Sequence, residues 1–429
     1  MFIILLDIKN VNLEETVMNN EKKGLGSVFF VFAGYVLSVT AFVIGGNVGN
    51  QLTFGKGVLA LLTGNMILAF YAGIIGFIGT KANKSSTDIF KPVFGVKGQV
   101  IAATIVSLFS LVFVSVYSSL VGSMMSSLFG GISPYIGMTL YLIIITLINL
   151  KGFKGMSIFS KIGVPAIGLF VIYGVCMVGS HVGFKNLATA QPITPTSFSA
   201  VVSVVAASWM TGATFSSDIT RFVKKNWYVW IVTVGSFLCV TVLETVGLIC
   251  ALGTGKGDLV SILADLNMSV VAFVIYLLLT ITSGQAVIYI AALALENITK
   301  VIRGRENLES DGKFTANFFI IPSCIFAAVF AVFMTANGFT STFLSWLGII
   351  GTAIPPVGGT LVGHFFLVEK EFKKTFENMP MYRFAAFIAW VGGICVSALV
   401  PYGIKPLNGF LTGMILYAVI RYVTNAVRK

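Results

Sequence analysis

Apolar runs of roughly 18–25 residues, the length that carries a helix across a bilayer, recur along this whole chain. About twelve can be marked, near residues 27–50, 57–79, 99–128, 134–150, 159–180, 198–220, 228–253, 268–294, 315–336, 341–367, 384–400 and 405–424. Hydrocarbon offers no partner to a peptide group, so runs of this kind cross as helices that satisfy their own backbone. The expected fold is therefore an all-α polytopic membrane protein of about 12 transmembrane helices. A polar segment over 1–26 precedes a single transmembrane domain over 27–429, and no structure is placed on that segment. Its Phe2–Leu6 run is too short for a signal-peptide core. Hydrophobic residues make up 56% of the 429 and charged residues 10%, a balance that a water-facing exterior does not accommodate.

The net charge of +12 would suit a nucleic-acid partner, but its placement argues against one. With an even number of spans and the amino terminus inside, twenty-four of the 28 basic residues fall on the side of the termini. Only Lys56, Lys185, Lys256 and Lys405 fall on the other. That asymmetry is the positive-inside pattern: both termini are expected in the cytoplasm and the protein in the cell membrane. Cys176, Cys239, Cys250, Cys324 and Cys395 sit inside apolar spans at unrelated spacings, so neither a disulfide framework nor a zinc site is indicated. They read as small packing residues. The two histidines, His181 and His364, form no metal motif, and no serine-hydrolase or phosphate-loop signature is present. An enzyme is not expected, nor a cofactor, nor an obligate protein partner.

Two spans carry polarity that lipid would not tolerate. The sixth contains Ser208-Trp209-Met210-Thr211-Gly212-Ala213-Thr214-Phe215-Ser216-Ser217-Asp218. The first contains Gly34, Ser38, Thr40, Gly45, Gly46, Asn47, Gly49 and Asn50. Interrupted helices at matching places of two halves mark an inverted-repeat transporter, with a site at the breaks. Broken ends leave N–H and C=O groups free to bind a substrate or an ion. Close helix packing is the competing reading of the glycines.

Four further features invite chemistry. Thr282 and Ser283, in Leu279-Thr280-Ile281-Thr282-Ser283-Gly284-Gln285-Ala286, either bond back to their own helix or join freed carbonyls as oxygen ligands of a hard cation. Phe113 on the third span and Trp209 at the sixth-span break suit a flat heterocycle held between two rings, with Ser110, Ser208 and Thr211 reading its polar edge. Glu244 lies mid-span without a basic neighbour in sequence, as a hydrogen-bonded structural acid or a proton-coupling group. Asp218, three residues before Arg221, reads as half of a local ion pair. The tenth span carries Gly351-Thr352-Ala353-Ile354-Pro355-Pro356-Val357-Gly358-Gly359, where a kink is expected.

Phe94-Gly95-Val96-Lys97-Gly98, Asp218 with Arg221-Phe222, Asn297-Ile298-Thr299 and Ala353-Ile354-Pro355-Pro356-Val357-Gly358-Gly359 together resemble the first nucleobase–cation symporter family, on the side of its bacterial cytosine permeases. The similarity runs from about Gly24 to the carboxyl terminus. It implies the LeuT-like fold, with spans 1–5 (about 27–180) and 6–10 (about 198–367) as inverted repeats and two extra helices (about 384–424). It also implies alternating access and, in cytosine members, sodium coupling. Matching positions place sodium ligands at the carbonyls of Gly34, Leu37 and Leu279 and the hydroxyls of Thr282 and Ser283. Substrate positions fall on Ser110, Phe113, Ser208, Trp209, Thr211 and Gly284. Phe113 replaces a tryptophan, Ser110 a glutamine, and Gly284-Gln285-Ala286 an Asn-Asp-Asn run, while His364 stands for an acidic residue. The expectation is a sodium-coupled importer of a nucleobase-like heterocycle. Open alternatives are proton coupling, a hydroxymethylpyrimidine, purine or hydantoin substrate, and a non-transporting receptor.

Overall fold

The computed structural model describes residues 22–150, 187, 189–254, 270–304, 315–370, 372, 374–377 and 379–427. The expected fifth span, Cys176 and His181 lie outside them. Seven described helices are long and apolar enough to cross a membrane: Phe54–Ala82, Gly98–Leu128, Tyr228–Thr254, Tyr276–Ile302, Ala316–Ala336, Ser341–Val368 and Lys405–Val427. A bent pair, Leu25–Val36 with Val39–Gln51, makes an eighth, and three shorter apolar helices are Pro134–Asn149, Phe198–Ala207 and Phe384–Leu399. These elements take the positions expected for every span but the fifth, and a continuous buried apolar cluster links them.

The first span breaks at Leu37–Ser38, where both residues are extended and the two halves meet at 55°. Ser38 does not cap the second half; its hydroxyl bonds Thr40's at 2.5 Å. The glycines beyond the break serve packing. A Cβ on Gly45 would strike the Glu244 carbonyl, and one on Gly49 would lie 2.8 Å from the Leu248 carbonyl. The second half of the first span is thereby seated on the seventh, main chain against main chain.

The sixth span opens as Phe198–Ala207, with the Ser197 hydroxyl accepting from the Ala200 N–H at 3.3 Å. It turns at Ser208–Trp209 and resumes as two short helices, Met210–Thr214 and Ser217–Thr220. Its hydroxyls are largely spent on the second span. Tyr71 and Thr214 share a hydrogen bond of 2.8 Å. Ser216 donates to the Ala72 carbonyl at 2.8 Å and Ser217 to that of Ile75 at 3.0 Å. Thr220 reaches the Gly76 carbonyl at 3.3 Å.

Asp218 differs from expectation. Its carboxylate accepts the Ser86 N–H at 3.0 Å, at the start of the helix Ser86–Phe94, and forms no ion pair with Arg221. A helix amino terminus presents aligned N–H groups and positive dipole, while the Arg221 guanidinium lies 4.9 Å from the Phe222 ring and acts on Asp218 through its charge. At the same end Lys22 donates to Asn83 Oδ1 at 3.0 Å and to the Arg221 carbonyl, and Lys23 N–H donates to the Phe222 carbonyl at 2.7 Å.

In the tenth span Phe339–Ala353 stops at Ile354, and Pro355–Val362 continues into a π-helix over Gly363–Val368. Paired prolines remove two helix donors, and Trp390 Nε1 supplies a bond to the Ala353 carbonyl at 2.7 Å. His364, within the π-helix, bonds Tyr417 at 2.8 Å and Thr375 at 2.7 Å. None of the described cysteines is in a disulfide; Cys250 and Cys324 are buried, Cys239 and Cys395 exposed.

Candidate functional site

Ser283 on the eighth span reaches across to the first-span break. Its hydroxyl donates to the Leu37 carbonyl at 2.6 Å and approaches that of Gly34 at 3.4 Å. Helix interruption is what makes these carbonyls available, since a continuous helix would commit them to N–H groups four residues on. Thr282 bonds back along its own helix, to the Leu279 carbonyl at 2.9 Å and that of Leu278 at 3.0 Å. Both hydroxyls are fully buried. Of the expected ligands, Ser283 bonds across to Gly34 and Leu37, while Thr282 and Leu279 are bonded to each other within the eighth span.

The aromatic residues converge from four spans. Trp209 meets Phe113 edge-to-face at 5.1 Å between centroids and Tyr35 at 5.4 Å. Phe343 of the tenth span meets Phe113 edge-to-face at 6.4 Å. Trp209 Nε1 and Ser110 Oγ are buried without a hydrogen-bond partner among the described residues. Ser208 and Thr211 are also buried. A planar ring between two aromatic faces needs about 7 Å, two contacts of about 3.5 Å. Phe113 and Trp209 touch directly, so the sandwich is closed upon itself here, and an entering heterocycle would have to part them.

Gly284 occupies another environment. A Cβ there would collide with the Tyr141 hydroxyl and lie 3.4 Å from the Tyr117 ring. Tyr141, from the fourth span, donates to the Thr280 carbonyl at 2.8 Å. The space a side chain at 284 would enter is filled by tyrosine. Sequence reasoning passed over Tyr35, Tyr117, Tyr141 and Phe343. Tyr35 stands two residues before the break and Tyr117 one helical turn after Phe113, which are usable cues; nothing local singles out Tyr141 or Phe343.

Glu244 is fully buried and accepts a hydrogen bond from Asn65 Nδ2 of the second span. Glu244 Oε1 and Asn65 Oδ1 are left without a donor among the described residues.

A broken first span bonded to the unbroken eighth and a broken sixth span that gathers the rings belong to a class of protein, the membrane transporters of the LeuT-like fold. The structure superposes on Mhp1, a nucleobase-cation-symport-1 family transporter in a closed conformation with bromovinylhydantoin bound, with a TM-score of 0.79 at 14% identity, covering 95% of this chain and 94% of that one. A Na+-coupled sialic acid symporter in its substrate-bound outward-open state gives 0.72 at 12% identity, over 94% and 91%. The family described as permeases for cytosine/purines, uracil, thiamine and allantoin matches residues 19–422, and the chain belongs to it. The cytosine permease of Escherichia coli K12 is 25% identical over 413 residues, 95% of this chain and 94% of the permease. This is a family of transporters, not of enzymes.

Proposed function

We propose that this protein is a sodium-coupled importer of a cytosine-like nucleobase or related heterocycle, working by alternating access in the cell membrane with both termini cytoplasmic. The observation that carries the reading is Ser283 bridging from the eighth span to both carbonyls at the first-span break. A sodium ion replacing that hydrogen bond would take the oxygens of Gly34, Leu37, Leu279, Thr282 and Ser283 and fasten the broken helix to the unbroken one. Its entry down the membrane potential supplies about 2.3 kcal/mol per charge per 100 mV. Trp209 and Phe113 would part to hold the heterocycle, with Ser110, Ser208, Thr211 and the Trp209 N–H free to bond its edge. Gly284 makes room for Tyr141 in that arrangement, a departure from the asparagine of the permeases that bears on which heterocycle fits.

Thermal stabilisation of the purified protein by a nucleobase panel, in sodium or in choline, tests both parts. A ligand that binds only the native state raises the melting temperature by mass action. Stabilisation by one base in sodium alone supports the reading; an equal shift in choline removes sodium from it. A second reading, proton coupling at Glu244, is favoured by the two buried oxygens of Glu244 and Asn65 that lack a donor, which a proton on the carboxyl would supply. Base-driven acidification of an unbuffered proteoliposome lumen distinguishes it.

A further inference from the structure

Tyr117 lies fully buried on the third span, one turn beyond Phe113. Its hydroxyl faces the hydroxyls of Ser38, Thr40 and Ser283 but meets hydrogen-bond geometry with no described atom. Two of the three neighbouring hydroxyl protons are committed elsewhere. Ser38 and Thr40 bond each other at 2.5 Å, and Ser283 donates to the Leu37 carbonyl at 2.6 Å. A buried phenol ordinarily finds a partner, because leaving it unpaired forfeits its hydration for nothing.

The chemistry of the proposed ion site explains why this one is held in reserve. A hydroxyl cannot donate to a carbonyl and share a cation with it at once. When a cation enters between Ser283 Oγ and the Leu37 oxygen, both turn lone pairs toward it. The Ser283 proton must then point away, to a new acceptor. Tyr117 Oη is the unpaired oxygen facing it.

We infer that Tyr117 is a positioning residue for the coupling ion: it takes the hydrogen bond of Ser283 when sodium is bound, and so orients that hydroxyl as a ligand. Partners that orient a ligating group typically change metal affinity 10–100-fold when removed. Because Tyr117 and Phe113 share one helix a turn apart, the same residue ties the ion cluster to the aromatic box. The inference rests on the sodium reading above.

The test is the sodium dependence of melting temperature for the full chain and for Tyr117→Phe, titrating sodium chloride against choline chloride at constant ionic strength. The half-saturating sodium concentration is expected to rise about tenfold, with the melting temperature in choline close to wild type. Tyr117→Phe adds nothing in a Ser283→Ala background if Tyr117 acts through that hydroxyl. An unchanged half-saturating concentration overturns the inference while leaving the sodium reading intact, and a lower melting temperature in choline with unchanged sodium affinity would make Tyr117 merely structural. Wild-type protein indifferent to sodium would remove the sodium reading itself, and this inference with it.

Discussion

The breaks in the first and sixth spans both place glycine and hydroxyl groups inside an apolar run, the first richer in glycine and the sixth in hydroxyls, and their contacts differ. The first span breaks once, at Leu37–Ser38, and the carbonyls it frees face the eighth span, where Ser283 meets them. The sixth span breaks into three pieces, and most of its hydroxyls are staples: Thr214, Ser216, Ser217 and Thr220 all bond the second span. Ser208, Trp209 and Thr211 are left for the aromatic box. The first break thus frees carbonyls toward the eighth span, whereas the sixth is anchored by its hydroxyls to the second span.

The largest test of that contrast is Ser283→Ala. Hydrogen bonds and ligations to a charged group are worth about 1.5–3 kcal/mol, so the half-saturating sodium concentration should rise about 10–100-fold; an effect on stability alone would make Ser283 another staple. Phe113→Ala and Trp209→Ala should each weaken heterocycle binding by a similar margin, since a stacking face contributes about 1–3 kcal/mol. Calorimetry with the base identified by the thermal screen reads this, and unchanged binding would move the substrate out of the box.

Gly284→Asn should destabilise by about 1–3 kcal/mol through overpacking against Tyr141. Tyr141→Ala in the same chain should recover it, and the pair measured by thermal melting shows whether these two positions exchange one volume. Ser216→Ala and Tyr71→Phe should each cost about 1 kcal/mol, lowering the melting temperature slightly with sodium affinity unchanged. A shift in sodium affinity would erase the distinction between the two breaks.

The smallest effect lies outside the spans, at Asp88. Burial raises its carboxyl, but Lys91, the Ser85 hydroxyl and Lys84 outweigh that and hold it below the ordinary carboxylate value. Lys91 Nζ lies 2.9 Å away and Ser85 Oγ 2.6 Å. Its folded value being depressed, the stabilisation is present above about pH 4 and fades as pH falls further. Asp88→Asn should therefore lower the melting temperature at pH 7 and make little difference near pH 3.

Much of the scaffold was legible because bilayer physics writes it into composition: each crossing needs a run of apolar residues, and every run but the fifth, which lies outside the described residues, falls where a described helix stands. The kink at Ile354, the break near Gly34 and the oxygens of Thr282 and Ser283 were legible too, since proline, glycine and hydroxyls inside apolar helices have few uses. Asp218 was misread for the opposite reason. Its true partner, Ser86, is distant in sequence, and a nearby Arg221 offered a local explanation.

Sequence by itself thus determined the spans, the places where helices are interrupted and the chemical kinds gathered there, because these follow from residue-by-residue solvation and backbone hydrogen bonding. Only the tertiary structure decided which hydroxyls staple the sixth span and which remain free, that Gly45 and Gly49 serve the contact with the seventh span, that Tyr35 and Phe343 complete the box, and that Tyr117 and Tyr141 stand over Gly284. Those assignments depend on which helix faces which across the bundle, and that is set by long-range packing no local pattern records.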